Sequence, residues 1–299
     1  MPGPEISFIT VNYETPELVC RLIQSIRTNP PSRPYEIIVV DNNSSDRSCE
    51  IIPREHPDAT LVALDTNTGF ATGNNRGALL ASGKWLVLIN SDCEIQEESF
   101  EKVIRWLERN PDVGIAGTRV TTPEGKLEQS ARGFPNASTG LFGRSTFLGK
   151  IAQKLGRTGS KGVAGRNLMV DPEKTEPYDV DWVSGTLMVI RRECWDKIGG
   201  FDEDYFMYWE DADLCYRAKQ AGYRTCYFPG SYVIHRPGSS AAGNPVPAIR
   251  WFHDSAYLYV TKHVSPGFSF LRMFAWCALK LRAALLILRA RLTGGSGKG

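Results

Sequence analysis

The chain lacks any uninterrupted apolar run near the ~20 residues that a bilayer-spanning helix needs, so no transmembrane span is predicted. It also lacks CxxC pairs: its seven cysteines are scattered, without a Cys/His spacing suited to zinc. The N-terminal run MPGPEISFITVNY carries neither a basic region nor a long apolar one and reads as the first strand of a domain. An odd number of unpatterned thiols and no leader signature lead us to expect reduced cysteines in a cytoplasmic compartment. Excess charge is missing too. The net charge is +2, so total charge does not point to a nucleic-acid partner. There are no internal repeats. What is present, in 299 residues with 42% hydrophobic and 23% charged, is enough apolar material for one large globular α/β domain.

Short apolar runs at Ile6–Val11, Glu36–Val40, Thr60–Leu64 and Trp85–Ile89 predict four strands. Between the first two, Leu18, Leu22, Ile23 and Ile26 recur at helical spacing until Pro30-Pro31. Phe100, Val103, Ile104 and Leu107 mark another helix, closed by Pro111. This alternation implies βαβ crossovers and a mostly parallel sheet. From Leu141 to Asp179 the pattern dissolves into a Gly/Ser-rich stretch with Arg144, Lys150, Lys154, Arg157, Lys161 and Arg166, read either as a solvated loop or as a cationic flap. Order is predicted to return at Val180–Thr186 and a strand through Ile190. A helix over Glu210–Ala221, ended by Gly222, and two short strands follow, the second finishing at His235.

Ligands of such sheets sit beyond the carboxyl ends of the strands. Asn12, Asp41 and Asn90-Ser91-Asp92 stand at those exits. Asp92 could help hold a divalent cation against phosphate oxygens or could merely cap a turn. Glu210, Asp211 and Asp213 open a helix after the aromatic run Tyr205–Trp209. One acid would serve as a cap, but three repel one another, and a carboxylate beside aromatic rings suits a sugar hydroxyl and a general base. His235, before a Pro-Gly turn, is open between a structural residue and a metal ligand. Asn67–Gly77 is Gly-rich and leads into a helix whose N-terminus could welcome phosphate or ribose oxygens. It matches neither GxGxxG nor GxxxxGK[ST], which disfavours a NAD-dependent oxidoreductase and a P-loop.

Taken in order, Val11-Asn12-Tyr13, Ile38–Asp46, Asn67–Asn75, Asn90-Ser91-Asp92, Trp182–Gly185, Gly199–Glu203 and Trp209–Arg217 resemble the family 2 glycosyltransferases, in their rhamnosyltransferase-like bacterial branch. The resemblance spans about residues 5–265. It implies a GT-A fold: a Rossmann-like, mostly parallel central sheet flanked by helices, with a nucleotide-sugar-binding half (5–118) and an acceptor-binding half (119–265) in one domain, 1–265. It implies an inverting transfer of a sugar from a nucleoside-diphosphate donor. Asp41 would bond the pyrimidine base, with Thr10, Asn12, Tyr13 and Asn43 lining the pocket and Gly69, Phe70, Gly73 and Asn74 packing on the nucleoside. Asn90, Ser91 and Asp92 match the DxD segment, Asp92 and His235 holding Mg²⁺ or Mn²⁺. Trp182 and Gly185 would flank the donor sugar. Asp211 matches the catalytic base, with Glu210 its nearest rival. Asn90 departs from the first acid of DxD, which shifts coordination toward the donor phosphates. The best single donor is dTDP-rhamnose, with UDP-galactofuranose and UDP-glucose as alternatives. A non-catalytic nucleotide-sugar- or glycan-binding protein, or a nucleotidyltransferase, fits the scaffold less well.

Residues 268–292 are apolar but interrupted by Arg272, Lys280, Arg282, Arg289 and Arg291, which share one broad half of a helical wheel. Phe270, Phe274, Cys277, Leu281, Leu285, Leu288 and Leu292 occupy the other. A basic amphipathic helix (266–293) on the inner face of the cell membrane is expected, against packing on the domain or in a homo-oligomer. Such a surface suits a polyprenyl-diphosphate-linked or saccharide acceptor in cell-envelope polysaccharide synthesis. A flexible tail, 294–299, ends the chain.

Overall fold

The computed structural model describes residues 3–96, 99–135, 169–236, 245–267 and 269–294. The six basic residues expected in a flap, Arg144 to Arg166, lie outside the described residues, as do Phe268 and the tail from Gly295.

A nine-stranded sheet forms the centre. Strands β1 (Ile6–Asn12), β2 (Tyr35–Asp41), β3 (Thr60–Ala63) and β4 (Trp85–Ile89) are parallel, in spatial order β3-β2-β1-β4. The sheet continues through β10 (Leu187–Arg191), β6 (Val113–Thr121), β11 (Arg224–His235) and β5 (Cys93–Ile95), while β8 (Tyr178–Val180) pairs with β11. Strand β10 runs antiparallel to both β4 and β6. A separate ribbon joins β7 (Ala131–Arg132) and β9 (Trp182–Val183).

Strand side chains alternate between two apolar layers, as a sheet covered on both faces requires. Ile6, Phe8, Val87 and Ile89 meet helices α1 (Pro16–Thr28), α2 (Ser48–Glu55) and α4 (Ser99–Arg109) through Leu22, Ile23, Ile52, Val103 and Leu107. Ile9, Val40, Leu86 and Leu88 meet α3 (Gly69–Leu80), α5 (Arg192–Ile198) and α6 (Glu210–Gln220) through Ala71, Ala78, Trp195, Leu214 and Ala218. Each such fully buried Leu, Ile or Phe contributes about 1.5–3 kcal/mol. Two further helices, α7 (Pro245–Tyr259) and α8 (Phe270–Gly294), follow, a π-helical turn at Val260–Val264 closing α7.

Three expectations need correction. The Gly-rich stretch does not precede a helix; from Gly69 it is the helix. A Cβ on Gly77 would lie 2.5 Å from Ile9 Cγ2, and one on Gly73 would lie 3.0 Å from Val11 Cγ2, so these glycines let α3 press onto β1. The two strands expected before His235 are one 12-residue strand, β11, with a register shift between Phe228 and Tyr232. Pro229 has no N–H for the ladder there, which made the break look like a strand end. The boundary drawn at 118/119 falls inside β6, and one continuous sheet serves both halves.

Candidate active site

The pairing of β5 with β11 builds the first half of the site. His235 is opposite Cys93, and the Arg236 amide donates to the Asp92 carbonyl at 2.9 Å. That register brings His235 Nε2 to 3.2 Å from Asp92 Oδ1. The other ring nitrogen, Nδ1, donates to the Glu128 carboxylate, 3.1 Å from Oε2. Burial works against a charged imidazole, but Asp92 and Glu128 more than offset it and hold the His235 pKa above its ordinary value. With Nδ1 protonated, a neutral ring would oppose its Nε2 lone pair to Asp92 Oδ1, an atom that is buried and has no hydrogen-bond partner. Either a proton on Nε2, which the raised pKa favours, or a bound cation resolves that opposition. Spacing of 3.2 Å also suits adjacent ligands of one ion with bonds about 2.1 Å long, and a carboxylate behind a ligating histidine is a usual support. The residues therefore fit a divalent metal with two protein ligands. No group of three or more His, Cys, Asp or Glu able to hold a metal converges among the described residues.

The second half lies across β4. Ile89 of β4 is opposite Leu187 of β10, and the Asn90 amide donates to Thr186 O at 3.1 Å. One residue earlier, the Gly185 amide donates to Asp211 Oδ2 at 3.1 Å, while the Ala212 amide donates to Oδ1 at 2.8 Å. A Cβ on Gly185 would meet the Phe70 ring at 3.1 Å and Asp211 Cβ at 3.9 Å, so glycine keeps this approach open. Asp92, His235, Gly185 and Asp211 thus share one rim of the sheet.

The three acids that open α6 have separate fates. Asp213 is fully buried, paired with Arg217 Nε at 2.7 Å and His263 Nε2 at 2.6 Å. Its role is structural. Glu210 is buried, Oε2 has no partner, and burial first, then the charge of Asp211, pushes its pKa well up. Asp211 stays partly exposed. Burial raises its pKa, against the Gly185 and Ala212 amides and the charge of Arg132. Tyr208 and Trp209, immediately before them, both have left-handed backbones, φ 69° and 70°. Ring contacts from α7 hold that strained corner: Phe252 lies against Tyr208 and Trp209, and Tyr259 against Trp209.

The pocket residues expected around a nucleotide are divided between lining and support. Tyr13 is 39% exposed beyond β1, and Asn43 is exposed with φ 62°. Thr10 is buried and its Oγ1 lacks a partner. Asn12 and Asp41 are buried and joined, Asn12 Nδ2 donating to Asp41 Oδ1 at 2.7 Å. Ser44 binds the same carboxylate through its hydroxyl and amide. Gly69, φ 82°, lets its backbone abut the Phe206 carbonyl, which accepts from the Phe70 amide at 2.7 Å. Gly73 and Asn74 are buried in the helix: Asn74 is 1% exposed and donates to Phe70 O. Asn90 and Ser91 are half-buried at the rim, and Trp182 donates from Nε1 to Gly133 O at 3.0 Å. Glu128, Thr186 and the α7 aromatics escaped the sequence reading. Glu128 and His235 are 107 positions apart, and no local spacing links them.

Comparison with known proteins bears on family and fold. The family model described as "Glycosyl transferase family 2" matches residues 7–171, and one described as "N-terminal domain of galactosyltransferase" matches 168–237. The chain is similar to rhamnosyltransferase WbbL of Escherichia coli K12, 37% identical over 272 residues covering 86% of this chain and 93% of that one. It is 28% identical to the N-acetylglucosaminyl-diphospho-decaprenol L-rhamnosyltransferase of Mycobacterium tuberculosis, over 85% of this chain and 84% of the relative. Among solved structures it resembles GalNAc-T7 with UDP, GalNAc and Mn²⁺, at TM-score 0.61 and 16% identity, over 94% of this chain and 55% of that one. It also resembles the mannosyltransferase PcManGT of Pyrobaculum calidifontis with GDP-Man and Mn²⁺, at TM-score 0.58 and 16% identity, over 100% and 77% of the two chains.

Proposed function

The chain belongs to the family 2 glycosyltransferases and has their GT-A fold, and from this we propose an inverting, metal-assisted enzyme of cell-envelope glycan synthesis. Its donor is a nucleoside-diphosphate sugar, dTDP-L-rhamnose before any UDP-sugar, since two relatives are named rhamnosyltransferases. Its acceptor is a hydroxyl of a diphospholipid-linked saccharide, after the mycobacterial relative's name. One observation carries the reading: a carboxylate oriented by two backbone amides, Asp211, shares the sheet rim with the Asp92–His235 pair.

Asp211 keeps a lone pair on each oxygen beyond those given to Gly185 and Ala212, and it takes the acceptor hydroxyl proton there. The hydroxyl oxygen attacks the anomeric carbon from the face opposite the diphosphate, and configuration inverts. Burial pushes the Glu210 pKa up, which disfavours a second negative charge beside the base. Asp92 and His235 would hold Mg²⁺ or Mn²⁺, which neutralises charge on the leaving diphosphate when bound. Tyr13 and Asn43 line the nucleoside side over the Asn12–Asp41 floor.

The membrane part of the proposal rests on α8. It packs inward through Ala275, Leu279 and Ala283, and leaves Phe270, Phe274, Leu281, Leu285, Leu288 and Leu292 each more than half exposed. Lys280 and Arg291 border that stripe on one side, Arg282 and Arg289 on the other. No helix of the described residues is long and apolar enough to cross a membrane. A bordered apolar stripe matches an anionic lipid surface.

A thermal-shift panel of nucleotide diphosphosugars with and without Mn²⁺ tests donor and metal together. One donor is expected to raise the Tm selectively, with an Mn²⁺-dependent part that Asp92→Ala removes. No shift with any donor would contradict the reading.

A further inference from the structure

Arg132 has no task in the chemistry above, yet its ribbon is tied to the segment that holds Asp211. In the β7–β9 ribbon it is directly opposite Trp182, and its guanidinium lies over that indole, 5.6 Å from the ring centroid. The ribbon is fixed to the base: Ser184 N donates to Ser130 O at 2.8 Å, and the next residue, Gly185, donates to Asp211. Phe134 N donates to Asp181 Oδ2 at 2.9 Å, and the Phe134 ring abuts Tyr216 of α6. Arg132 is therefore held by a rigid frame on the Asp211 side of the site, and its charge reaches Asp211. The side chain is exposed and pairs with no described carboxylate; its one hydrogen bond runs from Nε to Gln129 O at 3.3 Å. Among the described residues no acceptor meets the terminal nitrogens, the two that form the fork.

An exposed guanidinium stacked on an aromatic face keeps its fork pre-oriented, the geometry that matches phosphate oxygens in pairs. We propose that Arg132 binds a diphosphate group of a substrate during transfer. This rests on the glycosyl-transfer reading and adds a ligand contact to it. Two substrates carry that chemistry, the donor and a lipid-diphosphate acceptor. The donor's diphosphate has the Asp92–His235 side for its charge. Arg132 is instead on the ribbon that Ser184 and Gly185 tie to Asp211, the side from which an acceptor hydroxyl would reach that carboxylate.

The test compares wild type with Arg132→Met, which keeps the stem over Trp182, and Arg132→Lys, which keeps charge without the fork. Binding of inorganic pyrophosphate is read by calorimetry. The KM values are then measured for the donor, for an alkyl-tailed N-acetylglucosaminyl diphosphate, and for the alkyl N-acetylglucosaminide without phosphates. Arg132→Met is expected to weaken pyrophosphate about tenfold and raise KM for the diphosphate acceptor by a similar factor, with Lys intermediate and an unchanged Tm. The phosphate-free acceptor should not respond. A rise confined to the donor KM would still support the diphosphate contact but assign it to the donor. Unchanged pyrophosphate binding and unchanged KM values would overturn it. Absence of transfer by wild type to either acceptor, with the pyrophosphate difference intact, would instead count against the acceptor class proposed above.

Discussion

Glu210 and Asp211 are neighbours in sequence with different surroundings, and their chemistry follows from that difference. Asp211 is met by two amides and solvent, whereas Glu210 is enclosed with one oxygen unpartnered. Because burial raises the folded pKa of Glu210 above its ordinary 4.5, the native chain binds this proton more tightly than the unfolded chain. The sign follows: this contribution is intact below about pH 4.5 and is lost as pH rises through the folded pKa. Glu210→Gln, neutral in both states, is expected to raise the Tm at pH 8, by about 2–4 °C for each kcal/mol recovered, with the gain shrinking toward pH 4.5. Thermal melts across pH check this; a pH-independent difference would contradict it. Both acids were legible as candidates from their cluster at a helix start, but the difference in their surroundings was not. It depends on Gly185 and on α7, which are distant in sequence.

Elements were legible where periodicity is strong and misleading where glycine does two jobs. Strands β1 to β4 and helices α1 and α4 follow their apolar patterns closely. Helix α3 does not, because Gly73 and Gly77 face the sheet where large side chains would normally stand. A ligand-cradling loop and a close-packed helix use the same residue for the same reason, close backbone approach. Gly77→Ala separates them. Alanine gains about 1 kcal/mol of helix propensity, but its Cβ would press on Ile9 at 2.5 Å and Val40 at 3.2 Å. Overpacking costs about 1–3 kcal/mol, so a lowered Tm is expected; a raised one would return the stretch to its looser reading. In α8 the amphipathic pattern hid a second, narrower face: Ala275, Leu279 and Ala283 dock while the large residues stay outside. Full-length protein is expected to float with anionic vesicles at low salt, and Leu281→Glu/Leu285→Glu/Leu288→Glu to remain below. Wild type staying in the dense fraction would contradict membrane docking.

For the whole molecule, the decisive feature is a strand that runs backwards. Antiparallel β10 carries Thr186 and Gly185 to the exit of β4, and the β5–β11 pairing carries His235 to Asp92. Neither junction follows from alternating strands and helices, since both join segments about 100 residues or more apart. The sequence did reveal which strand ends are polar; topology decides which of them meet. The aromatic support from α7 then links the Asp211 corner to α8, through the Lys280–Asp254 ion pair at 2.7 Å. The Asp211 corner and the exposed apolar face of α8 are thus parts of one framework.

The proposed proton acceptance by Asp211 is measured by following transfer with Asp211→Asn at saturating donor and Mn²⁺, with donor affinity determined on the same preparation. Turnover is expected to fall by about 10²–10⁴-fold while donor Kd stays unchanged. Turnover near that of the wild type would contradict the assignment of Asp211 as the base.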